Sequence, residues 1–371
     1  MYDGRFKIFA ILLLLAVIFS LFTIFISSES PPAPSARAAA LYLSDTDCFV
    51  YTKNSDERLP MASTTKIMTA LIALEELSPD EIITPAPEAI GIEGSSIYIE
   101  KDETFRALDL IYALMLGSAN DAAAALAYRI SGGIEEFAGL MNERAKKMGL
   151  TDTSFTNPHG LDDKNHYTTA HDLAIIAAHA LKNENFKEIS STYKKEIVSS
   201  KKKRLLVNHN KLLKSYDGCI GVKTGYTKKS GRSLVSAAER DGLTFISVTI
   251  NAPDDWRDHK KLLDYGYSLF ERRMLCLKGS YSYEIPVLDG MSPTVSVENE
   301  NDLYKICKVS DGKIDCEVKI SQYVTSPVHR GDILGSVVFT KDGEIIATVP
   351  LRATNDVNKK KEKHFFSFFI K

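Results

Sequence analysis

Two polar residues, Ser63 and Lys66, stand three positions apart in the stretch PMASTTKIMTA, residues 60–70. The stretch opens an apolar run with helical spacing that continues to about Leu77. Positions three apart share one face of a helix, so the Lys66 amine can reach the Ser63 hydroxyl. A serine becomes a good nucleophile only when a neighbouring base takes its proton, and a lysine is such a base only if its pKa is lowered. A solvated helix face has the same pattern, so the pair alone is a weak signal.

Two further polar motifs favour a catalytic pair over a solvated helix face. SAN, residues 118–120, falls between two helical segments, where a hydroxyl and a carboxamide can both point into a cleft. KTG, residues 223–225, falls in the predicted strand VKTGYT, where a cation and a hydroxyl suit a carboxylate and the glycine lets a ligand approach the backbone. The KTG lysine also adds a positive charge that disfavours protonation of Lys66. The three motifs in this order are far more specific than any one of them.

The pattern around the motifs predicts an α+β domain over residues 41–277. ALYLSDTDCFVYTKN alternates around a polar turn and predicts a strand pair near the start. Amphipathic helical segments fill the middle, and three short strands, the first containing KTG, precede a last helix. Strands at both ends of a helical middle predict one domain whose termini meet in a single sheet.

The C-terminal part has a different pattern. Residues 278–352 contain short strands only, which predicts a small all-β domain. The last segment, residues 353–371, ends in KKKEKHFFSFFIK, with five lysines beside four phenylalanines. Basic and aromatic residues together suit a membrane surface, whereas a frayed tail has the same composition, and both interpretations stay open.

Residues 1–40 predict export. Arg5 and Lys7 precede the apolar run Ile8–Ile26, and a Pro/Ser/Ala linker follows in which 36–38 has the small-x-small form of a cleavage site. The run is long for a signal peptide and just long enough to span a bilayer. A cleaved signal and a retained anchor both stay open, and in either case we expect the rest of the chain to work outside the cytoplasmic membrane.

Length and composition are typical of a folded protein and exclude some function classes. The chain has 371 residues, 44% of them apolar and 25% charged, which is enough for two domains with at least one sizeable core. The formal net charge is −2 and no basic surface with interleaved aromatics is visible, so we expect no nucleic-acid partner. His159, His166 and His171 fit no zinc-binding spacing, so we expect turn or capping roles for them and no metal or cofactor.

Five cysteines are too few to form a disulfide framework, but one pair has hairpin spacing. CKVSDGKIDC is centred on Asp311-Gly312, a strong two-residue turn signal. Counting outward puts Cys307 opposite Cys316 at a non-hydrogen-bonded position, where Cα atoms about 4.5 Å apart lie at the short edge of the disulfide range. A Cys307–Cys316 disulfide and two buried thiols are the two interpretations.

The three motifs together resemble those of the low-molecular-mass penicillin-binding proteins that are D-alanyl-D-alanine carboxypeptidases, serine peptidases related to β-lactamases. FTNPHGL, HYTTAHDLA, NHNKLL and GVKTGYTKKSG are also similar to family stretches, so the resemblance covers most of residues 41–273. It implies a helical cluster packed on an antiparallel sheet, followed by a small all-β domain and a membrane-docking end. It also implies an enzyme at the outer face of the cytoplasmic membrane or in the cell wall of a bacterium.

Position by position, the resemblance implies catalytic roles for the first two motifs. Ser63 would attack the carbonyl of the penultimate D-alanine of a peptidoglycan stem pentapeptide, with Lys66 as general base. Ser118 would relay a proton to the departing D-alanine, and Asn120 would orient the substrate's peptide bond.

The third motif would bind the substrate. Lys223 and Thr224 would hold the terminal carboxylate, and Gly225 would let it approach the strand. The backbone N–H groups of Ser63 and Tyr226 would form the oxyanion hole, where losing one donor typically costs about 10²–10³ in rate. β-Lactam antibiotics would be covalent inhibitors.

Three other activities fit parts of the same pattern. Ala119 stands where class A β-lactamases carry aspartate, and no clear loop glutamate is suited to deacylation, which argues against an efficient β-lactamase. A D,D-endopeptidase would use the same site. A non-catalytic wall-associated scaffold is the remaining alternative, and the intact motifs argue against it.

Overall fold

The computed structural model describes residues 30–361. Its α-helices, numbered in chain order within this range, are α1 Lys66–Glu76, α2 Ala107–Leu116, α3 Asn120–Ser131, α4 Ile134–Lys147, α5 Ala170–Leu181, α6 Glu184–Ser191, α7 Leu212–Ser215 and α8 Asp255–Leu269. None of the helices in this range is long and apolar enough to cross a bilayer. The apolar run Ile8–Ile26 and most of the KKKEKHFFSFFIK tail lie outside the described residues.

In chain order, the strands fall into a first group that lies before and between the helices and a second group that follows the last helix. The first group is β1 Ala38–Leu43, β2 Cys48–Lys53, β3 Ile82–Ile83, β4 Phe105–Arg106, β5 Lys194–Val198, β6 Lys203–Val207, β7 Cys219–Thr227, β8 Gly231–Arg240 and β9 Leu243–Ile250. The second group is β10 Phe270–Cys276, β11 Ser282–Leu288, β12 Thr294–Glu298, β13 Leu303–Lys308, β14 Asp315–Ile320, β15 Val324–Thr325, β16 Ile333–Lys341 and β17 Glu344–Ala353.

A five-stranded antiparallel sheet joins the two ends of the first domain, as the sequence pattern predicts. Its strand order is β2-β1-β9-β8-β7, so β1 from the start of the domain pairs with β9 from its end. Alternate side chains of a strand point to opposite faces. Ala40 and Tyr42 belong to the core shared with the helical cluster, whereas Leu41 and Leu43 pack with α8 on the other face. The sheet is therefore covered on both sides, and β7 is left at its edge.

Helix α1 lies at the centre of the helical cluster. It is buried from Lys66 to Ala73, which includes its polar first residue, and it packs against α2 and α3. A helix that is apolar nearly all round is stable only when neighbours cover every face. The first turn of α1 therefore lies in an interior from which water is excluded.

The second domain is built from strands, as predicted. A six-stranded sheet has the order β14-β16-β17-β12-β11-β15, and β10 pairs separately with β13. Its core is distinct from that of the first domain and contains Ile285, Val297, Val337, Phe339 and Leu351 among others. The strand series begins at Phe270, ahead of the predicted boundary at residue 278. The predicted α+β fold followed by a small all-β domain is confirmed.

The predicted hairpin that would join Cys307 to Cys316 is wrong. Strand β13 pairs with β10, whereas β14 pairs with β16, so the two cysteines lie in different sheets. Both are free thiols, but only Cys307 is buried and Cys316 is exposed, so the alternative of two buried thiols is also wrong for Cys316. The predicted turn centred on Asp311-Gly312 does not form either; the chain turns at Val309-Ser310 instead, where the Asp311 N–H donates to the Lys308 carbonyl and the Asp311 carboxylate accepts the Lys308 N–H, both at 2.9 Å. A turn signal specifies a local reversal only, and the longer pairings with distant strands decide where the flanking segments go.

Candidate active site

Ser63 lies in a short 3-10 turn that runs directly into α1. The turn spans Ala62–Thr65, and Lys66 is the first residue of the α-helix. Ala62 has a φ of 48°, a left-handed conformation that costs a non-glycine residue about 1–3 kcal/mol and persists only where the surroundings hold it. The sequence pattern predicted a continuous helix here. Because residues three apart eclipse each other in a 3-10 turn, the predicted contact between the two side chains is kept.

The surroundings of Lys66 favour its neutral form. Its side chain is fully buried, and this burial is the main reason that the pKa of Lys66 lies well below its ordinary value. The positive charge of Lys223 lowers the pKa further, as the sequence predicted, while Asp121 opposes the shift. A lysine in such a site can accept a proton at a pH where a solvated lysine is already charged.

The neutral amine of Lys66 has one lone pair, and the contacts direct it to Ser63. Its Nζ lies 2.7 Å from Asn120 Oδ1, 2.5 Å from the carbonyl oxygen of His159 and 3.1 Å from Ser63 Oγ. The first two oxygens can only accept, so they take the two N–H groups of the amine. The lone pair is left for the Ser63 hydroxyl. This is the arrangement of a general base and its nucleophile.

Ser118 and Asn120 lie at the break between α2 and α3. Ser118 has a φ of 56° and lines the cleft beside Ser63. The Asn120 carboxamide donates from Nδ2 to the Glu93 carbonyl at 2.5 Å, so its oxygen must face Lys66. Asn120 is buried behind the cleft wall, with both ends of its amide already engaged by the protein.

Strand β7 forms a wall of the cleft. Thr224, Gly225 and Tyr226 line it, while Lys223 is buried beneath, where desolvation lowers its pKa to about 7. A Cβ atom on Gly225 would lie 3.1 Å from the backbone nitrogen of Ser63. Glycine at this position therefore allows the strand to pack directly against the turn of the nucleophile.

The FTNPHGL loop supports the same turn through its backbone. The carbonyl of His159 is one of the two acceptors on Lys66. Gly160 has a φ of +88°, and a Cβ atom there would lie 1.9 Å from the Ala62 carbonyl oxygen. The contact from His159 was not predicted, because a backbone carbonyl carries no signal in a sequence.

The histidines have structural contacts. His166 accepts a hydrogen bond from the Thr156 N–H at 3.0 Å through Nδ1, and its Nε2 lies 2.7 Å from Thr65 Oγ1 in the nucleophile turn. Burial lowers the pKa of His159 to about 3 and that of His166 to about 4, so both are neutral. Across residues 30–361, no three His, Cys, Asp or Glu side chains are grouped as a metal site.

The cleft between these elements has a volume of about 330 Å³. It is lined by Ser63, Ser95, Ser118, His209, Lys211, Thr224, Gly225, Tyr226, Arg232, Ser233, Asp255 and Trp256. A larger and more open cavity of about 680 Å³ lies along residues 213–220, but no motif residue lines it. Arg232, Asp255 and Trp256 were not predicted. A hairpin register drawn from the KTG strand could have found Arg232, because the short turn puts it opposite Tyr226.

Comparisons with known proteins agree with this geometry. The family model described as D-alanyl-D-alanine carboxypeptidase matches residues 26–254, and that of the penicillin-binding protein 5 C-terminal domain matches residues 270–359. The D-alanyl-D-alanine carboxypeptidase DacF of Bacillus subtilis is 34% identical over 338 residues, covering 88% of this chain and 87% of the relative. DacC of Escherichia coli is 30% identical over 362 residues, covering 91% and 88%.

A solved structure extends the likeness to three dimensions. The crystal structure of penicillin binding protein 5 from Haemophilus influenzae aligns with a TM-score of 0.65 at 30% identity, covering 89% of this chain and 99% of that one. The carboxypeptidase family model alone spans more than half of this chain. The three motifs converge on one cleft within that span. The chain therefore belongs to the D-alanyl-D-alanine carboxypeptidase family of low-molecular-mass penicillin-binding proteins.

Proposed function

We propose that this chain is a serine-type D-alanyl-D-alanine carboxypeptidase that shortens peptidoglycan stem pentapeptides through a Ser63 acyl-enzyme. The observation that carries the proposal is the contact of 3.1 Å between Lys66 Nζ and Ser63 Oγ, with the other two contacts of the amine made to oxygens that only accept. An amine held in this way has its lone pair aimed at the hydroxyl proton. A helix surface with no chemical role has no need for such an arrangement.

Acylation uses the first two motifs. Ser63 Oγ attacks the carbonyl carbon of the penultimate D-alanine while Lys66 takes the hydroxyl proton. The tetrahedral oxyanion is stabilised by the backbone N–H groups of Ser63 and Tyr226. Ser118 relays the proton to the nitrogen of the terminal D-alanine, the C–N bond breaks, and D-alanine leaves with a neutral amine.

Substrate binding and deacylation use the remaining residues. Lys223 and Thr224 hold the terminal carboxylate, beside the close approach that Gly225 allows. Asn120 positions the Lys66 amine through its Oδ1, and orienting the substrate's peptide bond, the second role that we propose for it, requires its Nδ2 to exchange the Glu93 carbonyl for a substrate carbonyl. Water then attacks the ester carbonyl with Lys66 again as base, which releases the shortened peptide and restores Ser63. No cofactor enters any step.

The family's chemistry is that of the cell wall, so the enzyme acts outside the cytoplasm. We place it more narrowly at the outer face of the cytoplasmic membrane, on the basis of the apolar run Ile8–Ile26 and the basic-aromatic segment 353–371. β-Lactams resemble the acylating substrate and would trap Ser63 as a stable ester.

The test is covalent labelling with a fluorescent penicillin, combined with release of D-alanine from a pentapeptide. We expect the wild-type protein to be labelled and to release D-alanine, and a Ser63→Ala variant to do neither. Ser215→Ala, in the larger cavity along residues 213–220, is the control and should behave as wild type. A label that persists in Ser63→Ala, or wild-type protein that releases no D-alanine, would overturn the proposal.

A further inference from the structure

The short segment that leads into β1, residues 34–38, is bound to the folded domain. The N–H and Oγ of Ser35 both donate to Asp258 Oδ2 in the first turn of α8, at 2.8 and 2.6 Å. Ser35 Oγ also accepts the N–H of Asp254 at 3.1 Å. We propose that the mature enzyme keeps this segment, and that any cleavage which removes the predicted export signal falls ahead of Pro34. The inference goes beyond the proposed reaction and presupposes only the export that we propose.

The sequence offers cleavage sites that conflict with this position. Three small-x-small patterns, the form of a signal-peptide cleavage site, lie within or next to the segment. They are residues 33–35, 36–38 and 38–40. Cleavage after them would give chains whose first residue is Ala36, Ala39 or Leu41. All three products lack Ser35.

Loss of Ser35 would leave a buried carboxylate without a hydrogen bond. Asp258 is 4% exposed, and Ser35 supplies both hydrogen bonds that its carboxylate accepts within residues 30–361. An ionised carboxylate is costly to bury when it has no partner. The same end of α8 carries Asp255 and Trp256, which line the catalytic cleft. A chain that begins beyond Ser35 therefore loses a contact that fixes one wall of the active site.

Cleavage after the predicted site 36–38 would also put a charge inside the sheet. Ala39 is fully buried in β1, where it pairs with Lys53 of β2 and with Thr249 of β9. A chain that begins at Ala39 would carry its α-amino group at this position, and such a group is largely protonated at neutral pH. An ammonium group is costly to bury without a partner, so the start of β1 would have to leave the sheet.

The rest of the segment extends the sheet in the same way. Pro34 and Ala36 are buried and alternate with exposed residues, as in a strand with one covered face. The Pro34 carbonyl accepts a hydrogen bond from Lys53 Nζ at 2.8 Å, and the Arg37 N–H donates to the Asn251 carbonyl at 3.0 Å. The segment is therefore part of the catalytic domain rather than of the linker that precedes it.

The test reads the first residue of the exported protein. The full chain is expressed in a bacterium that exports it, and the N-terminal residue of the protein found outside the cytoplasm is determined by mass spectrometry. We expect this residue to be Pro34 or an earlier one, an uncut chain included. A product that begins beyond Pro34 would overturn the inference.

A second measurement tests the contact with α8. Ser35→Ala removes the hydroxyl that donates to the buried Asp258 carboxylate. It should raise the equilibrium constant for unfolding about 10- to 100-fold, the usual effect of losing a hydrogen bond to a charged group. Urea titration followed by Trp256 fluorescence measures this constant. Ser30→Ala is the matched control, because this serine is exposed in the same linker, and it should stay within about 2-fold of wild type.

A double variant assigns the effect to the carboxylate. In an Asp258→Asn background no buried charge is left for the hydroxyl to compensate, so Ser35→Ala should raise the unfolding constant several-fold less than it does in wild type. An equal rise in both backgrounds, or a rise of the same size in Ser30→Ala, would overturn the role of Ser35.

The outcomes distinguish this inference from the proposed function. The first residue and the unfolding constant are both read without the Ser63 reaction. Absence of penicillin labelling would overturn the proposed function and leave the retained segment in place. A chain found only inside the cytoplasm would overturn the proposed export and this inference with it.

Discussion

Two buried lysines next to the cleft, Lys66 and Lys223, need opposite charge states. In the mechanism that we propose, Lys66 must be neutral to accept a proton, whereas Lys223 must be charged to attract a carboxylate. Burial lowers the pKa of both, and the charge of Lys223 lowers that of Lys66 further. In this mechanism the charged Lys223 would help to keep Lys66 neutral as a base and would also bind the substrate. A neutral Lys66 and a charged Lys223 coexist only in a limited range of pH.

We predict a pH profile with two limbs for kcat/KM. The rate constant should rise with pH as Lys66 loses its proton, because the neutral amine is the base. It should fall again above about pH 7 as Lys223 loses its charge. The measurement is kcat/KM for D-alanine release from a pentapeptide at successive pH values. In Lys223→Arg the falling limb should move to higher pH, and a falling limb that stays in place would rule out Lys223 as its source.

At the scale of elements, the site depends on two backbone segments that touch without side chains between them. The edge strand β7 reaches the 3-10 turn of Ser63 at Gly225, and the FTNPHGL loop reaches the same turn at Gly160. Each glycine removes a Cβ atom that would push the turn away. The position of the nucleophile is therefore set by the strand on one side and the loop on the other.

We predict that Gly225→Val mainly reduces activity. The new side chain would press on the Ser63 backbone from a Cβ position 3.1 Å away, and a displacement of about 1 Å costs on the order of 10² in rate. The rate of fluorescent penicillin labelling measures the effect. Gly139→Ala is the matched control, because this glycine of α4 has open space around its Cβ position. It should label as wild type and raise the free energy of unfolding by roughly 0.5–1 kcal/mol. Normal labelling of Gly225→Val would contradict the proposed packing.

Considered as a whole, the first domain buries three neutral histidines in its interior. His159 and His166 lie around the nucleophile turn, and His259 of α8 contacts Ser236 Oγ and Thr249 Oγ1 beneath the sheet. Burial is the largest cause of the low pKa of each, about 3 for His159 and His259 and about 4 for His166. Protonation of any of them is therefore unfavourable in the folded state and reduces its stability.

We predict that the first domain loses stability as pH falls below about 6.5. The unfolded chain takes up protons on its histidines there, while the folded chain does so only near pH 3–4, so acid favours unfolding. The free energy of unfolding should be measured by urea titration at about pH 7.5 and pH 5. The fluorescence of Trp256, the single tryptophan, reports the first domain.

The variant His259→Gln tests this assignment, because glutamine can still hydrogen-bond but does not titrate. The difference in the free energy of unfolding between the two pH values should shrink by up to about 2 kcal/mol. An equal difference in wild type and variant would show that His259 does not contribute to the acid sensitivity.

Much of this site was predictable from the sequence because its chemistry demands particular residue types. A serine nucleophile, a lysine base and a second cation define the three motifs, and their order identified the family. The spacing of the apolar residues was enough to predict the helices, the sheet that joins both ends of the first domain, and the all-β second domain. These features are local or repeat at short range, so a single chain displays them.

Only the tertiary structure decided how distant segments meet. It showed that the carbonyl of His159 and the carboxamide of Asn120 orient the Lys66 lone pair, and that Lys66 is buried deeply enough to lower its pKa. It also separated Cys307 from Cys316, which local turn chemistry had paired. Burial and strand pairing arise from contacts between residues far apart in the chain. The sequence therefore determined which groups could react, and the fold determined which of them lie in contact and which amine keeps a lone pair free for the serine.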